Sequence, residues 1–204
     1  MYYLFSYGSL ISEVSRKLSG VLSSSFPARV SGIKRGWYLT VPEDKDTGLG
    51  ATSDKSSLCN GVLINTNTAD IELLDRREKI HGYRRVQLPL ESILLPYGRG
   101  LGNLEELEKI EGVWAYITDL VEFPTETCPI AQSYLDVVLE GCLAISKEFA
   151  EEFILSTEGW ESPWVNDREN PRYRRFTNTD IIRIDTLLEQ TIPNYFLNRK
   201  NVTT

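Results

Sequence analysis

Two carboxylates in the segment ADIELLDRREKIHGYRRVQL, residues 69–88, have a spacing that suits proton transfer. On a helix that turns 100° per residue, Asp75 and Glu78 fall on the same side as the apolar residues Ile71 and Leu74. A carboxylate held at the edge of a core can act as a general acid or base. It can equally pair with a neighbouring arginine of the same segment, and structural ion pairs are commoner than catalytic carboxylates. The spacing alone leaves both interpretations open.

A second segment, YLFSYGSLIS at residues 3–12, combines a buried-type strand with a glycine turn and a hydroxyl group. One interpretation is an ordinary turn from a strand into a helix, with Ser12 as the helix cap. The other is a small pocket in which the backbone N–H groups of Gly8, Ser9 and Leu10 face an anion. The tetrapeptide by itself favours the ordinary turn.

The sequence contains few other side chains that could act in catalysis. His81 is the only histidine, which excludes a zinc site built from several histidines and leaves one candidate for a Ser/His or Cys/His couple. No feature of the sequence places its ring beside Ser9, so a serine hydrolase is the weaker hypothesis. The three cysteines are irregularly spaced and are interpreted as small buried hydrophobic residues. A carboxylate is therefore the better candidate for a general base.

The elements that must position these residues follow from hydrophobic periodicity. Alternating or short β-branched runs predict strands near residues 2–6, 28–41, 60–65, 83–95, 113–118 and 180–185. Helical periodicity predicts helices at residues 12–19, 68–79, 103–110, 131–142 and 147–156.

Two segments between these elements are interpreted as loops. Residues 42–59 are rich in Gly, Ser, Asp and Lys, which indicates a mobile surface excursion. Residues 158–176 carry two tryptophans, two prolines and many charges, which indicates a C-terminal arm or lid ordered by its aromatic residues. We expect both to lie within a single domain spanning residues 1–204, because a chain of this length forms one well-buried core.

The amino-acid composition limits the kinds of partner that the protein is expected to bind. The formal net charge of -7 argues against binding to a nucleic-acid phosphate backbone, which requires a positive surface. No apolar run approaches the length that spans a membrane, and no secretory leader is evident, so we expect no membrane partner and a cytoplasmic location.

Three segments taken in order resemble the γ-glutamylcyclotransferase superfamily, which includes ChaC-like and AIG2-like proteins. YLFSYGSLIS resembles its strand followed by a Tyr-Gly-Ser loop, and LLDRREKIHGYRRVQL resembles its Leu-Asp-x-x-Glu segment. QSYLDVVLEGC, residues 132–142, resembles a third region, with Ser133, Tyr134 and Gly141 at the matching positions. Three ordered segments are far more specific than any one of them.

The resemblance implies an enzyme that releases 5-oxoproline from a γ-glutamyl amide by attack of the substrate's own α-amino group on its γ-carbonyl. It implies Glu78 as the catalytic base and a binding pocket for the glutamyl unit formed by Tyr7, Gly8, Ser9, Leu10 and Tyr134. Asp75 is expected to orient a neighbouring group. Because acid–base exchange and backbone N–H donors suffice for this cyclisation, no metal or organic cofactor is expected.

The resemblance also implies an α+β fold, built on a mixed, partly closed β-barrel with surrounding helices. The leaving group is left open between an amino acid, the remainder of glutathione and a simple amine. A non-catalytic small-molecule-binding or regulatory module on the same fold is the alternative function.

Overall fold

A computed structural model describes residues 2–21, 23–95, 110–175 and 180–202 of the chain. The helix expected at residues 103–110 therefore lies outside the described residues, except for Ile110. None of the described helices has the length and apolar character needed to cross a membrane.

A long hairpin forms the centre of the sheet. Its strands are β2 (Ser25–Val41) and β3 (Asp46–Thr66), which pair antiparallel from the Val41–Asp46 pair outward. Lys45 closes the turn between them with a positive φ of 55°. The first strand of the chain, β1 (Tyr2–Ser6), lies antiparallel beside the far end of β3, so the hairpin and the N-terminus share one sheet.

The other described strands are short and extend the sheet on both sides: β4 (Arg84–Leu88), β5 (Ile93–Leu94), β6 (Gly112–Ile117), β7 (Ile130–Ala131), β8 (Thr157–Glu158), β9 (Trp164–Asn166) and β10 (Lys200–Asn201). Parallel and antiparallel pairings both occur, and the main path runs β10-β9-β7-β3-β1-β6-β4. The expected mixed α+β fold is therefore confirmed. Closure into a barrel is not confirmed, because the described pairings leave β10 and β4 as separate ends.

The described helices are α1 (Glu13–Leu18), α2 (Thr68–Ile80), α3 (Gln132–Ile145), α4 (Lys147–Leu155), α5 (Ile181–Thr191) and α6 (Pro193–Leu197). Four of them begin after a side chain that accepts a backbone N–H of the first turn, as N-cap residues commonly do: Ser12, Asn67, Ser146 and Asp180. Helix α3 begins after Ala131, which has no capping side chain of its own.

Two predicted elements are wrong. Residues 42–59 are mostly the paired strand β3, and the polar residues near 52–58 occupy its more exposed middle. The composition of this segment resembles that of a loop because the middle of the strand is exposed to solvent. Residues 180–185 begin helix α5 instead of forming a strand, because Ile184, Leu187 and Leu188 continue the apolar pattern at helical spacing and are buried.

The hydrophobic core lies on both sides of the sheet. One cluster joins Trp37 to the helices, and its α3 face contains Leu135, Leu139 and Cys142, each completely buried. The other contains Phe5 and neighbouring strand residues. Helix α3 is thereby fixed against the sheet, with its N-terminal end beside the end of β1.

Candidate active site

A cavity of about 340 Å³ opens where the end of β1, the C-terminal half of α2 and the start of α3 meet. Its volume lies at the small end of the range typical of ligand sites. The cavity is lined by all the residues that the sequence assigned to a site: Tyr7, Gly8, Ser9, Leu10, Glu78 and Tyr134. The fold therefore brings together residues that are up to 127 positions apart in the chain.

The turn after β1 is held rigidly by its neighbours. Residues Ser9–Ile11 form one 3-10 turn, in which the Ile11 N–H donates to the Gly8 carbonyl at 2.9 Å. The buried guanidinium of Arg16 donates to the Leu10 and Ile11 carbonyls at 2.8 and 2.9 Å. Among the described residues, the N–H groups of Gly8 and Leu10 have no protein acceptor. The turn thus presents free backbone donors in a fixed arrangement.

Gly141 on α3 permits this turn to pack so closely. A Cβ atom at Gly141 would lie 2.5 Å from the Ser12 nitrogen and 2.8 Å from the Ile11 carbonyl carbon, so a larger residue would displace the turn backbone. Gly141 was matched to the family pattern in the sequence, and the contact supplies a physical reason for glycine there.

Gly8 serves a similar purpose toward Tyr134. Its φ is negative, at -130°, so its backbone does not itself require glycine. A Cβ atom there would lie only 3.2 Å from the Tyr134 hydroxyl oxygen, which is tighter than ordinary contacts. The absence of a side chain lets Tyr134 reach the turn, where its hydroxyl faces the backbone N–H groups of Ser9 and Leu49. Burial and the adjacent Tyr173 raise the pKa of Tyr134, so its phenol stays protonated.

Glu78 lies on the last turns of α2 with its side chain 16% exposed. Its Oε1 accepts from Arg77 at 2.7 Å, so the carboxylate has an arginine partner, as the ion-pair interpretation expects. Arg77 also lines the cavity and is more exposed, with 38% of its side chain accessible. A ligand ammonium could therefore replace Arg77 at the carboxylate without opening the core.

Asp75 lies outside the cavity lining and supports it indirectly. Its Oδ1 accepts from the Tyr116 hydroxyl at 2.9 Å, and its Oδ2 lies 3.5 Å from Arg85. The Tyr116 carbonyl in turn accepts from the Tyr7 hydroxyl at 2.5 Å. This agrees with the expectation that Asp75 orients a neighbouring group. The Tyr7 hydroxyl is already bonded to the Tyr116 carbonyl, so Tyr7 lines the cavity with its ring.

The segment after β9 belongs to the arm or lid expected at residues 158–176, and its residues 172–175 line the cavity. The buried Asp167 accepts from the N–H and the hydroxyl of Ser133 at 2.8 and 2.6 Å, so it caps α3 from a distant part of the chain. It also accepts from the Arg172 N–H at 2.8 Å. The Tyr173 ring then meets Tyr134 edge-to-face at 4.9 Å. We call residues 167–175 the arm.

A buried ion-pair network anchors the base of the arm. Arg168 pairs with Asp136 of α3 at 2.7 Å and with Asp185 of α5 at 2.8 Å. Burial alone would lower the pKa of Arg168, but these two carboxylates outweigh it and raise the pKa. The base of the arm is therefore fixed, and residues 172–175 extend from it to line the cavity.

Asp46, at the start of β3, is a further cavity residue that the sequence did not single out. It is 6% exposed, and burial raises its pKa to about 6, with added repulsion from Asp44 and Asp167. Arg172 acts in the opposite direction. Asp46 was not recognised as a site residue in the sequence, because the polar composition of residues 42–59 indicated a solvent-exposed loop.

The remaining candidates have simpler positions. His81 lies exposed at the cavity rim, and within the described residues no hydrogen bond joins it to Ser9. Cys59, Cys128 and Cys142 are buried free thiols. Across the described ranges, no three His, Cys, Asp or Glu side chains are grouped so as to hold a metal ion.

The chain resembles solved structures in fold. A γ-glutamyl cyclotransferase superposes with a TM-score of 0.59 at 15% identity, over 92% of this chain and 98% of that one. An uncharacterized human protein gives 0.56 at 14% identity, over 91% and 96% of the two chains. YkqA from Bacillus subtilis gives 0.55 at 18% identity, over 76% of this chain and 53% of its own.

Sequence comparison adds no closer relative, since no protein-family model and no curated protein matches the chain. The similarity in fold extends over nearly the whole chain, whereas the three motifs reach only to residue 142. The expectation drawn from those motifs is confirmed at the level of architecture: the chain has the γ-glutamyl cyclotransferase-like fold.

Proposed function

We propose that the protein is a γ-glutamylcyclotransferase that releases 5-oxoproline from a γ-glutamyl amide. One observation carries the proposal: a half-buried carboxylate, Glu78, and the free N–H groups of the turn at Gly8 and Leu10 line the same small cavity. A base and a set of oriented anion donors are the two elements that this cyclisation needs. The fold shared with a γ-glutamyl cyclotransferase supports the same proposal.

The proton path begins at the substrate α-ammonium group. Glu78 accepts its proton, displacing Arg77 as the partner of the carboxylate. The freed amine attacks the γ-carbonyl carbon, and a new C–N bond closes the five-membered ring. As the original amide C–N bond breaks, Glu78 gives this proton to the leaving nitrogen. Glu78 then takes the second proton from the new ring nitrogen, which keeps one hydrogen, and passes it to the released amine, which departs as an ammonium group. The products are 5-oxoproline and a free amine or amino acid, and no water is consumed.

The turn and the tyrosines hold the substrate for this attack. The N–H groups of Gly8 and Leu10 would bind the negative charge of the α-carboxylate or of the developing oxyanion, since neither has a protein acceptor among the described residues. The rings of Tyr7 and Tyr134 limit the room around the glutamyl chain, which favours the folded conformer in which nitrogen approaches carbon.

The Arg77–Glu78 pair favours one alternative, a binding module without catalysis, because the carboxylate is already paired with an arginine of the protein. The two functions differ in product. Incubation of the purified protein with γ-glutamylalanine should release 5-oxoproline and alanine in equal amounts. The N-acetyl form lacks a nucleophilic amine and should remain intact. Binding without any product would support the module, and N-acetylglutamate from the acetylated compound would indicate hydrolysis; either result would contradict the proposal.

A further inference from the structure

Two arginines of the arm, Arg174 and Arg175, line the cavity together with the residues of the buried turn. Arg174 is exposed and Arg175 is half-buried, whereas Tyr7 and Leu10 on the turn are 8% and 6% exposed. Tyr173, the preceding residue of the arm, packs on Tyr134. A ligand that keeps its glutamyl end at the buried turn must extend its other end toward the solvent-accessible part of the cavity, to which the exposed Arg174 belongs.

The other arginines of the cavity and the arm already have partners. Arg77 pairs with Glu78, and Arg168 pairs with two carboxylates at the base of the arm. Arg172 donates to the Lys45 carbonyl and lies near Asp46. The guanidinium groups of these three arginines are therefore already paired or hydrogen-bonded within the protein.

Arg174 and Arg175 differ in this respect. In the part of the chain that the structure describes, neither forms an ion pair. Arg175 donates to the Ser15 hydroxyl at 3.2 Å and lies 3.5 Å from the Tyr173 hydroxyl, both uncharged groups, and within the same described residues Arg174 has no hydrogen bond. Two arginines without an ion-pair partner among the described residues thus line the cavity of a protein whose net charge is -7.

We propose that Arg174 and Arg175 bind a carboxylate on the leaving group, so that γ-glutamyl amino acids and γ-glutamyl peptides are the substrate class and γ-glutamylamines are disfavoured. Guanidinium groups recognise carboxylates through paired, charge-assisted hydrogen bonds. The inference rests on the proposed cyclotransferase function and specifies its leaving group. The anchored base of the arm supports it, because residues 167 and 168 are fixed to α3 and hold the two arginines near the cavity.

The test compares γ-glutamylalanine with γ-glutamylalaninamide, which has nearly the same size and lacks only the terminal charge. The readout is the ratio of their kcat/KM values for 5-oxoproline release. A charge-assisted contact predicts a ratio of about 10 to 100 in favour of the carboxylate. In a protein carrying Arg174→Gln and Arg175→Gln, the ratio should fall toward 1.

Arg183→Gln provides a control for the loss of an arginine elsewhere on the surface, because Arg183 is exposed on α5 and does not line the cavity. This variant should keep the wild-type ratio. Equal turnover of both compounds by the wild-type protein, or an unchanged ratio in the double variant, would overturn the inference alone. Absence of 5-oxoproline from both compounds would overturn the proposed function and the inference with it.

Discussion

Replacement of Asp167 tests how the arm is held against the site. Its two oxygens accept three hydrogen bonds: Oδ1 from the Ser133 N–H, and Oδ2 from the Ser133 hydroxyl and the Arg172 N–H. In Asp167→Asn one of the two oxygens becomes an NH₂ group. If the oxygen is kept for the Ser133 N–H, the new amide faces the Arg172 N–H, and two donors oppose each other.

The Arg172 N–H would then lose its acceptor at a site where Asp167 is only 2% exposed. This loss should lower the free energy of unfolding by about 2 kcal/mol. For a chain of this size that corresponds to a decrease in Tm of roughly 4–8 °C. Asp167→Ala removes all three acceptor contacts, and its decrease should be about twice as large. Differential scanning calorimetry measures both changes.

Limited trypsin digestion provides a second readout, because the arm carries Arg172, Arg174 and Arg175 beyond its anchored base. Release of the arm should speed cleavage at these positions well before global unfolding. Asp180→Asn is the matched control, since Asp180 is an exposed N-cap that accepts one bond from the Arg183 N–H at 3.1 Å, and asparagine caps equally well. A Tm decrease in Asp167→Asn no larger than in this control, with unchanged digestion, would refute the role assigned to Asp167.

Two further predictions concern the cavity wall. Gly8→Ala should lower kcat/KM by roughly 10-fold, because its Cβ would lie 3.2 Å from the Tyr134 hydroxyl and displace that ring. In a protein that also carries Tyr134→Phe, Gly8→Ala should lower kcat/KM by a smaller factor. Strictly additive effects of the two substitutions would count against this contact. Asp46 has a pKa raised to about 6, so its folded form holds a proton more tightly than the unfolded chain and its contribution to stability falls as pH rises from about 4 to about 6. Asp46→Asn should therefore raise Tm relative to wild type by an amount that grows over that interval and then levels off, and a Tm difference independent of pH would disprove the assignment.

The sequence was most informative where a local pattern also sets the position of a side chain. Helical spacing placed Glu78 beside Leu74 on one face of α2, and both line the cavity. The glycine turn after β1 was recognised because Tyr7 and Gly8 follow the end of a strand. Such short-range patterns indicated candidate residues, and the resemblance to the γ-glutamylcyclotransferase superfamily was needed to assign them to one site.

The arm was expected from its tryptophans, prolines and charges, but the contacts that hold it against the site could not be assigned because they are long-range. Asp167 caps α3 from 34 positions away, and nothing near Ala131 or Ser133 indicates where the missing cap comes from. Asp46 was missed for another reason: its polar neighbourhood resembles a loop, and only pairing along β3 buries it. Tertiary pairing determines both positions, and composition over a short window does not encode it.

The central claim is that Glu78 transfers the proton in a cyclisation, and the rate of 5-oxoproline release by Glu78→Gln tests it most directly. Glutamine keeps the shape of the side chain and removes its basicity, so turnover of γ-glutamylalanine should fall by roughly 100-fold or more. Glu72→Gln, an exposed change on the same helix away from the cavity, should remain close to wild type. Near-normal turnover by a folded Glu78→Gln protein would contradict the account.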